Sequence, residues 1–470
     1  MTISKDAQIN YINIGLMVLS MIGAYILPFE VFLFAYAFLG PLHYLTEISW
    51  LHDRQYFAKG KFDFVPLLII GVVLSYYALA SEFDFHENFV KSFRKVNMWD
   101  ILTCLALISS ILFVFVKNLW VKLFAILFLY IFLYKLIKDN ESKEGFTIFA
   151  LISLVPTLIH VYIFTGLFML YGALKSRSSS GLFSVVVFAI VPFILIKVFP
   201  DESVVPISDY GKKAYYADGK GFFNTNVSIL NEFGLDTIDT EESLSRTIIK
   251  NYTVVNVIDE FEKERKHHIN GKLILKYRDS LNSNPESEFV LADKVDRSKL
   301  KSFSYNDFSL FIQSDTLIKS LLLSGEFRSK RKIQELNDRL VKIYNKDAIY
   351  EAKAPVVFDS TIGLLLMRFI AFAYLYHYLN WFSKTEVIKW HKVPKKRFIV
   401  IVALWLIACG LYIYNYAIGL TFLFFLSFTH VLLEFPLNIL SIFGIGKEIG
   451  DISKNGFSKT NHSTSQVIDS

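Results

Sequence analysis

The chain has 470 residues, 53% of them hydrophobic, with 45 phenylalanines and 25 tyrosines. Its mean hydropathy is +0.41, and several apolar runs are long enough to cross a bilayer, which excludes an ordinary soluble protein and predicts a polytopic membrane protein. The net charge of +6 is explained by membrane topology, so no nucleic-acid partner is expected.

The N-terminal MTISKDAQINYIN lacks a basic region ahead of a short apolar core and cleavage site. No cleaved signal peptide is expected, and the first helix serves as the insertion signal. Hydropathy then marks about ten spans, at about 11–28, 30–51, 64–80, 99–116, 119–137, 146–171, 181–199, 360–382, 397–415 and 418–443. Arg54, Lys59, Lys61, Lys117, Lys175, Arg177 and a dense run from Lys384 to Arg397 fall on the side of the two termini. The opposite loops carry mainly Lys91, Arg94, Lys95, Lys138 and Lys143, so the positive-inside rule predicts cytoplasmic termini in a bacterial inner membrane.

The fold class expected is therefore an all-α integral membrane protein with a polar extracytoplasmic insert. Residues 1–199 hold seven spans, 200–359 the insert, 360–445 three more spans, and 446–470 a polar cytoplasmic tail containing His462. Within the insert, NYTVVNVIDEF and GKLILKY cluster β-branched residues, whereas SGEFRSKRKIQELNDRLVKIYNK has helical spacing. A mixed or helical structure follows, with a partner still to be found. His267 and His268, in EKERKHHINGK, are expected at its surface. Cys104 and Cys409 each lie in an apolar run, away from any pattern for a disulfide or thiolate metal site.

Four histidines carry the chemistry. His43 (GPLHYLTEISW), His160 (VPTLIHVYIF), His377 (AYLYHYLNWF) and His430 (SFTHVLLEFP) lie in the second, sixth, eighth and tenth spans. An imidazole in hydrocarbon needs a partner, and one shared metal ion would satisfy all four; separate hydrogen bonds to neighbouring helices are the alternative. Counted from the cytoplasmic span ends, the four lie about 12, 16, 8 and 20 Å deep, a spread that helix tilt can absorb. Two of them share a pattern, His43-x-x-x-Glu47 and His430-x-x-x-Glu434, which puts imidazole and carboxylate on one helix face. Each Glu is a candidate metal ligand or an acceptor for a ligating histidine on a neighbouring helix. His52 and Asp53 are candidates for a second metal or a proton-transfer group at the mouth of the site, while Trp50, Trp381, Lys384 and His391 read as interface anchors. Arg368, a charge inside a span, needs a carboxylate or lipid headgroup.

Neutral imidazoles suit iron, zinc or copper. Iron with open positions would serve dioxygen chemistry on a membrane-dissolved chain; zinc would serve hydrolysis through an activated water. Haem held by two histidines is a further alternative, for example by His43 and His377. The clustered His-x-x-x-His and His-x-x-His-His patterns of membrane di-iron enzymes do not occur. A proton- or metal-coupled transporter and a metal-free acyltransferase using His430 with Asn380 are the remaining alternatives.

GPLHYLTEISWLHD resembles the Pro-x-His-Gly-x-x-Asp-type motif of the bacterial Brp/Blh family of membrane β-carotene cleavage dioxygenases. Tyr44 stands where that family has Gly, and Glu47 where it has Asp. The resemblance covers short stretches around the histidines. It implies one iron held by His43, His160, His377 and His430, dioxygen as co-substrate, and an isoprenoid, carotenoid or acyl substrate. Glu47 and Glu434 would support the ligands, and aromatic and polar neighbours such as Tyr44, Trp50, Tyr376, Asn380 and Trp381 would line the substrate channel.

Overall fold

The computed structural model describes residues 4–82, 86–139, 155–198, 207–218, 220–232, 252–259, 271–279, 287–295, 356–358, 360–384, 389 and 392–457. His267, His268, His391, His462 and the helical pattern around residues 324–346 lie outside them.

Helix α1, Lys5–Ile26, starts where the Ser4 hydroxyl accepts from the Ala7 N–H at 3.3 Å. It stops at Leu27, which takes an extended φ of −135° as the residue before a proline does. Pro28 opens α2, Pro28–Asp53, because a first-turn residue has no intrahelical use for its N–H. Within α2, residues Ala35–Leu39 form a π-helical turn just before Gly40-Pro41. Pro41 cannot donate to the carbonyl one turn back, and the wider turn takes up the mismatch.

There follow α3 (Phe64–Glu82), the short α4 (Glu87–Lys95), α5 (Met98–Phe115) and α6 (Leu119–Asp139). Next come α7 (Thr157–Ser176), whose first part is π-helical, and α8 (Ser179–Lys197). After α9 (Lys220–Glu232) the chain returns in α10 (Thr361–Ser383), α11 (Lys395–Tyr414) and the 40-residue α12 (Tyr416–Asn455).

Among the described residues, nine helices are long and apolar enough to span a membrane, and Phe64–Ala80 is a shorter apolar segment. Trp120, Phe124 and Phe128 of α6 are 68–70% exposed, a surface suited to contact with lipid. The chain is an integral membrane protein built from helices.

α12 is the central helix of the bundle, packed against α2, α3, α5, α7 and α11, while α10 packs against α1 and α2. At 1.5 Å per residue α12 is about 60 Å long, twice the hydrocarbon thickness. The Arg177–Glu448 ion pair, 2.5 Å, ties its far part to the end of α7. Close approach on its near side depends on Gly71 of α3, where a Cβ would come within 2.8 Å of the Thr429 hydroxyl. Gly71→Leu is therefore expected to cost ~1–3 kcal/mol, read as a lower thermal unfolding midpoint in detergent.

Two compact units divide the chain, one of residues Met1–Phe233 with Thr361–Ser470, the other of Gly234–Ser360. The boundary differs from the hydropathy-based one at 200 because the apolar faces of residues 209–232 pack within the membrane unit. Phe222 meets Phe32 edge-on at 4.9 Å, and the Asn226 amide lies 2.8 Å from the Met367 sulfur. The second unit includes strands β1 (Tyr252–Asp259), β2 (Gly271–Asp279) and β3 (Ser287–Val295), an antiparallel sheet in that order.

Candidate metal centre

α2, α7, α10 and α12 bring His43, His160, His377 and His430 together, each at most 7% exposed. Going round the four rings, centroids lie 4.7 Å apart for His43–His377 and 4.9 Å for His377–His160. The circuit closes with 5.1 Å for His160–His430 and 5.4 Å for His430–His43. Nitrogens of His43, His160 and His430 lie within 4.8 Å of one another, and His377 Nε2 lies 3.0 Å from His43 Nε2. The π-helical register of Val155–Phe164 sets which way His160 points.

Two carboxylates enter the same cluster. Glu47 Oε2 lies 2.9 Å from His43 Nε2 on its own helix, whereas Glu434 Oε2 lies 3.0 Å from His160 Nδ1 across the α12–α7 contact. Neither carboxylate oxygen makes a hydrogen bond, and neither do both nitrogens of His160 and His430. Polar atoms of the imidazoles and carboxylates thus crowd together, several of them without hydrogen-bond geometry. Buried polar atoms without partners are costly, and a cation at their centre would relieve all of them. Ligand atoms about 2.1 Å from one ion and at right angles lie about 3.0 Å apart, which matches the three short contacts. His377 is oriented from outside: its Nδ1 meets the Thr165 hydroxyl at 2.7 Å, which leaves Nε2 facing inward.

Two cavities reach opposite edges of this four-ring circuit. One, of about 280 Å³, touches His160 and His430 and has mainly aromatic walls, among them Phe32, Tyr36, Phe222 and Tyr374. The other, of about 520 Å³, touches His43, His377, Glu47 and Glu434 and extends to Asn10, Lys175 and Lys384.

The other candidate residues sort by helix phase. Tyr44 borders the aromatic cavity, stacks on His430 at 4.3 Å and shares a 2.8 Å hydroxyl contact with Tyr378. Gly40 makes room for that pair, since a Cβ there would sit 2.9 Å from the Tyr44 oxygen. Trp50, Asn380 and Trp381 line the larger cavity, and the Trp381 indole donates to Thr46 at 3.0 Å. Tyr376 lies aside from both cavities, its hydroxyl 3.4 Å from the Met169 sulfur.

His52 and Asp53, expected at the mouth of the site, are elsewhere. His52 is exposed, and Asp53 pairs with Arg397 at 2.6 Å. Arg368 is fully buried, with the Tyr25 ring 4.1 Å away and the Tyr25 carbonyl 3.2 Å from Nε. Asn380 and His430, the pair considered for acyl transfer, line different cavities.

Thr165, Tyr374 and Tyr378 carry no motif, and only the packing of α10 against α7 and α2 identifies them. No protein family, curated protein or solved structure matches this chain.

Proposed function

We propose that the protein is a metal-dependent membrane oxygenase acting on a lipophilic chain, with iron as the metal. The observation that carries this reading is the meeting of four imidazoles and two carboxylates, several of whose buried atoms have no hydrogen-bond partner, beside an aromatic-walled cavity. His43, His160, His377 and His430 would hold the ion, with Glu47 and Glu434 against them. Iron bound there would supply the activation of dioxygen.

The chain's own residues do the rest. Tyr36, Phe222 and Tyr374 offer flat faces to a polyene or other unsaturated chain, and such a chain packed against these walls would keep water from the reacting bond. Cleavage of one C=C bond by dioxygen places one oxygen atom in each of two carbonyl products, so no external reductant is needed. The cavity walls favour a carotenoid, isoprenoid or acyl chain over a polar metabolite.

The test is to load purified protein with ferrous iron and supply an apolar polyene in mixed micelles under oxygen, following oxygen uptake and carbonyl products. Stoichiometric products from wild type, and none from a His43→Ala/His430→Ala double variant, would support the reading. Full iron occupancy with no oxygen uptake across isoprenoid and acyl substrates would overturn it.

The two cavities on opposite edges of the ring favour a second reading, a metal-ion carrier. Exchange of the bound ion across a vesicle membrane would select it, whereas a retained ion selects the enzyme.

A further inference from the structure

The larger cavity has the build of an amphiphile site, apart from the metal ligands at its deep end. Its mouth carries Lys175 and Lys384. Among the described residues neither lysine pairs with a carboxylate; Lys175 lies over the Tyr171 ring at 5.5 Å. Deeper in, Asn380 is 7% exposed with its side-chain oxygen unpaired, and the buried Trp50 indole N–H also has no partner. Both line this cavity. Amide oxygen and nitrogen exchange places by a simple flip, so Asn380 can present a donor as readily as an acceptor. Between the mouth and the histidines the wall is apolar, with Phe168, Met169 and Leu437.

Phase and distance agree with one ligand running along this wall. His377 and Lys384 are seven positions apart, nearly two full helical turns, so the two face the same way roughly 10 Å apart along the axis. Partial burial pushes the Lys384 ammonium down to about 8, as apolar neighbours do to a cation with no counter-ion beside it.

We propose that this cavity binds an anionic amphiphile, its acidic head on Lys175 and Lys384 and its carbon chain extending past Phe168 and Met169 toward His377. Oxidation of that chain rests on the oxygenase reading; the binding does not. The other charged or titratable groups facing the cavity are Asp6 and Tyr171 toward the mouth and His43, His377, Glu47 and Glu434 at the deep end. Two lysines against one aspartate leave the mouth positive, which favours an acidic head there.

Equilibrium binding to the full-length protein in phosphatidylcholine nanodiscs tests this, with radiolabelled oleate and oleyl alcohol as probes. At pH 7 oleate is expected to bind at least tenfold more tightly than the alcohol, and the preference should shrink as the pH rises through about 8. The double variant K175Q/K384Q should bring the two probes within twofold while retaining wild-type metal content. K384R should keep the preference, which separates loss of charge from loss of fold. Competition by phosphatidic acid at lower concentration than oleate assigns the head to a bilayer lipid; oleate ahead assigns it to a single-chain acid.

Equal binding of oleate and alcohol to wild type would overturn the proposal. So would an unchanged preference in K175Q/K384Q, or inorganic phosphate competing as well as either lipid. A protein that holds metal but shows no preference for the anion refutes this inference alone. One that shows the preference but holds no metal refutes the oxygenase alone.

Discussion

Changing any one of His43, His160, His377 or His430 to alanine is expected to weaken metal binding by about two orders of magnitude or more, judged against the 10–100-fold typical of losing a supporting group. Metal analysis of the purified protein, wild type beside the variants, reads this directly. The reason is geometric. The four rings form a closed circuit with neighbouring centroids 4.7–5.4 Å apart, so removing one opens a gap that the other helices cannot fill without moving.

Glu47→Gln and Glu434→Gln separate two roles for the carboxylates. An acceptor that merely steadies an imidazole N–H survives the change to an amide with a modest loss. A charged ligand does not, and the 2.9 and 3.0 Å approaches without hydrogen-bond geometry favour the larger loss. Tyr376→Phe should leave metal content unchanged, because its hydroxyl points at Met169 and Asn13. Near-stoichiometric metal in a variant lacking all four histidines would sink the site.

The second large effect lies away from the histidines. Lys122 Nζ donates to Asp63 Oδ2 at 2.5 Å, and the same oxygen accepts the Gly60 N–H at 2.7 Å. The two side chains are 3% and 7% exposed. This pair fixes the 54–63 loop, which carries left-handed φ values at Gln55, Tyr56 and Phe57, against α6. Removing one charge leaves the other buried alone, so Lys122→Ala is expected to cost ~3–5 kcal/mol. Lys122→Met combined with Asp63→Asn should recover much of that loss, since a neutral pair carries no uncompensated charge. Thermal unfolding of wild type, Lys122→Met, Asp63→Asn and the double variant in one detergent completes the cycle. Equal midpoints for wild type and Lys122→Ala would show the pair to be energetically idle.

The membrane spans were legible because continuous apolar runs have few other uses. The convergence of the histidines was legible as a cost argument, since polar groups in four separate spans must find partners somewhere. Their depths, estimated from span ends, differed too much to fix a common point, and π-helical turns in α2 and α7 alter the count.

Phase explains the rest. Trp50 is seven positions after His43 and shares its face, so it lines the cavity. His52 is nine positions after it, which at 100° per residue turns it to the opposite face. Contacts between helices were not legible: Glu434 with His160, Thr165 with His377, and Phe222 folding back onto Phe32 each depend on which helices are neighbours.

The π-helical turn of Ala35–Leu39 gives α2 a property its neighbours along the helix lack. Such a turn holds one residue more than the α-helix it interrupts, so this stretch stores spare length. Deleting Phe38 can be absorbed by tightening the turn, with His43 and everything before Phe34 keeping their directions. A deletion between His43 and Glu47 has no such reserve and rotates Glu47 and the rest of α2 by about 100° about the helix axis relative to His43. Tolerance to single-residue loss should therefore change abruptly at Pro41, a boundary set by a missing N–H and not by distance from the histidines.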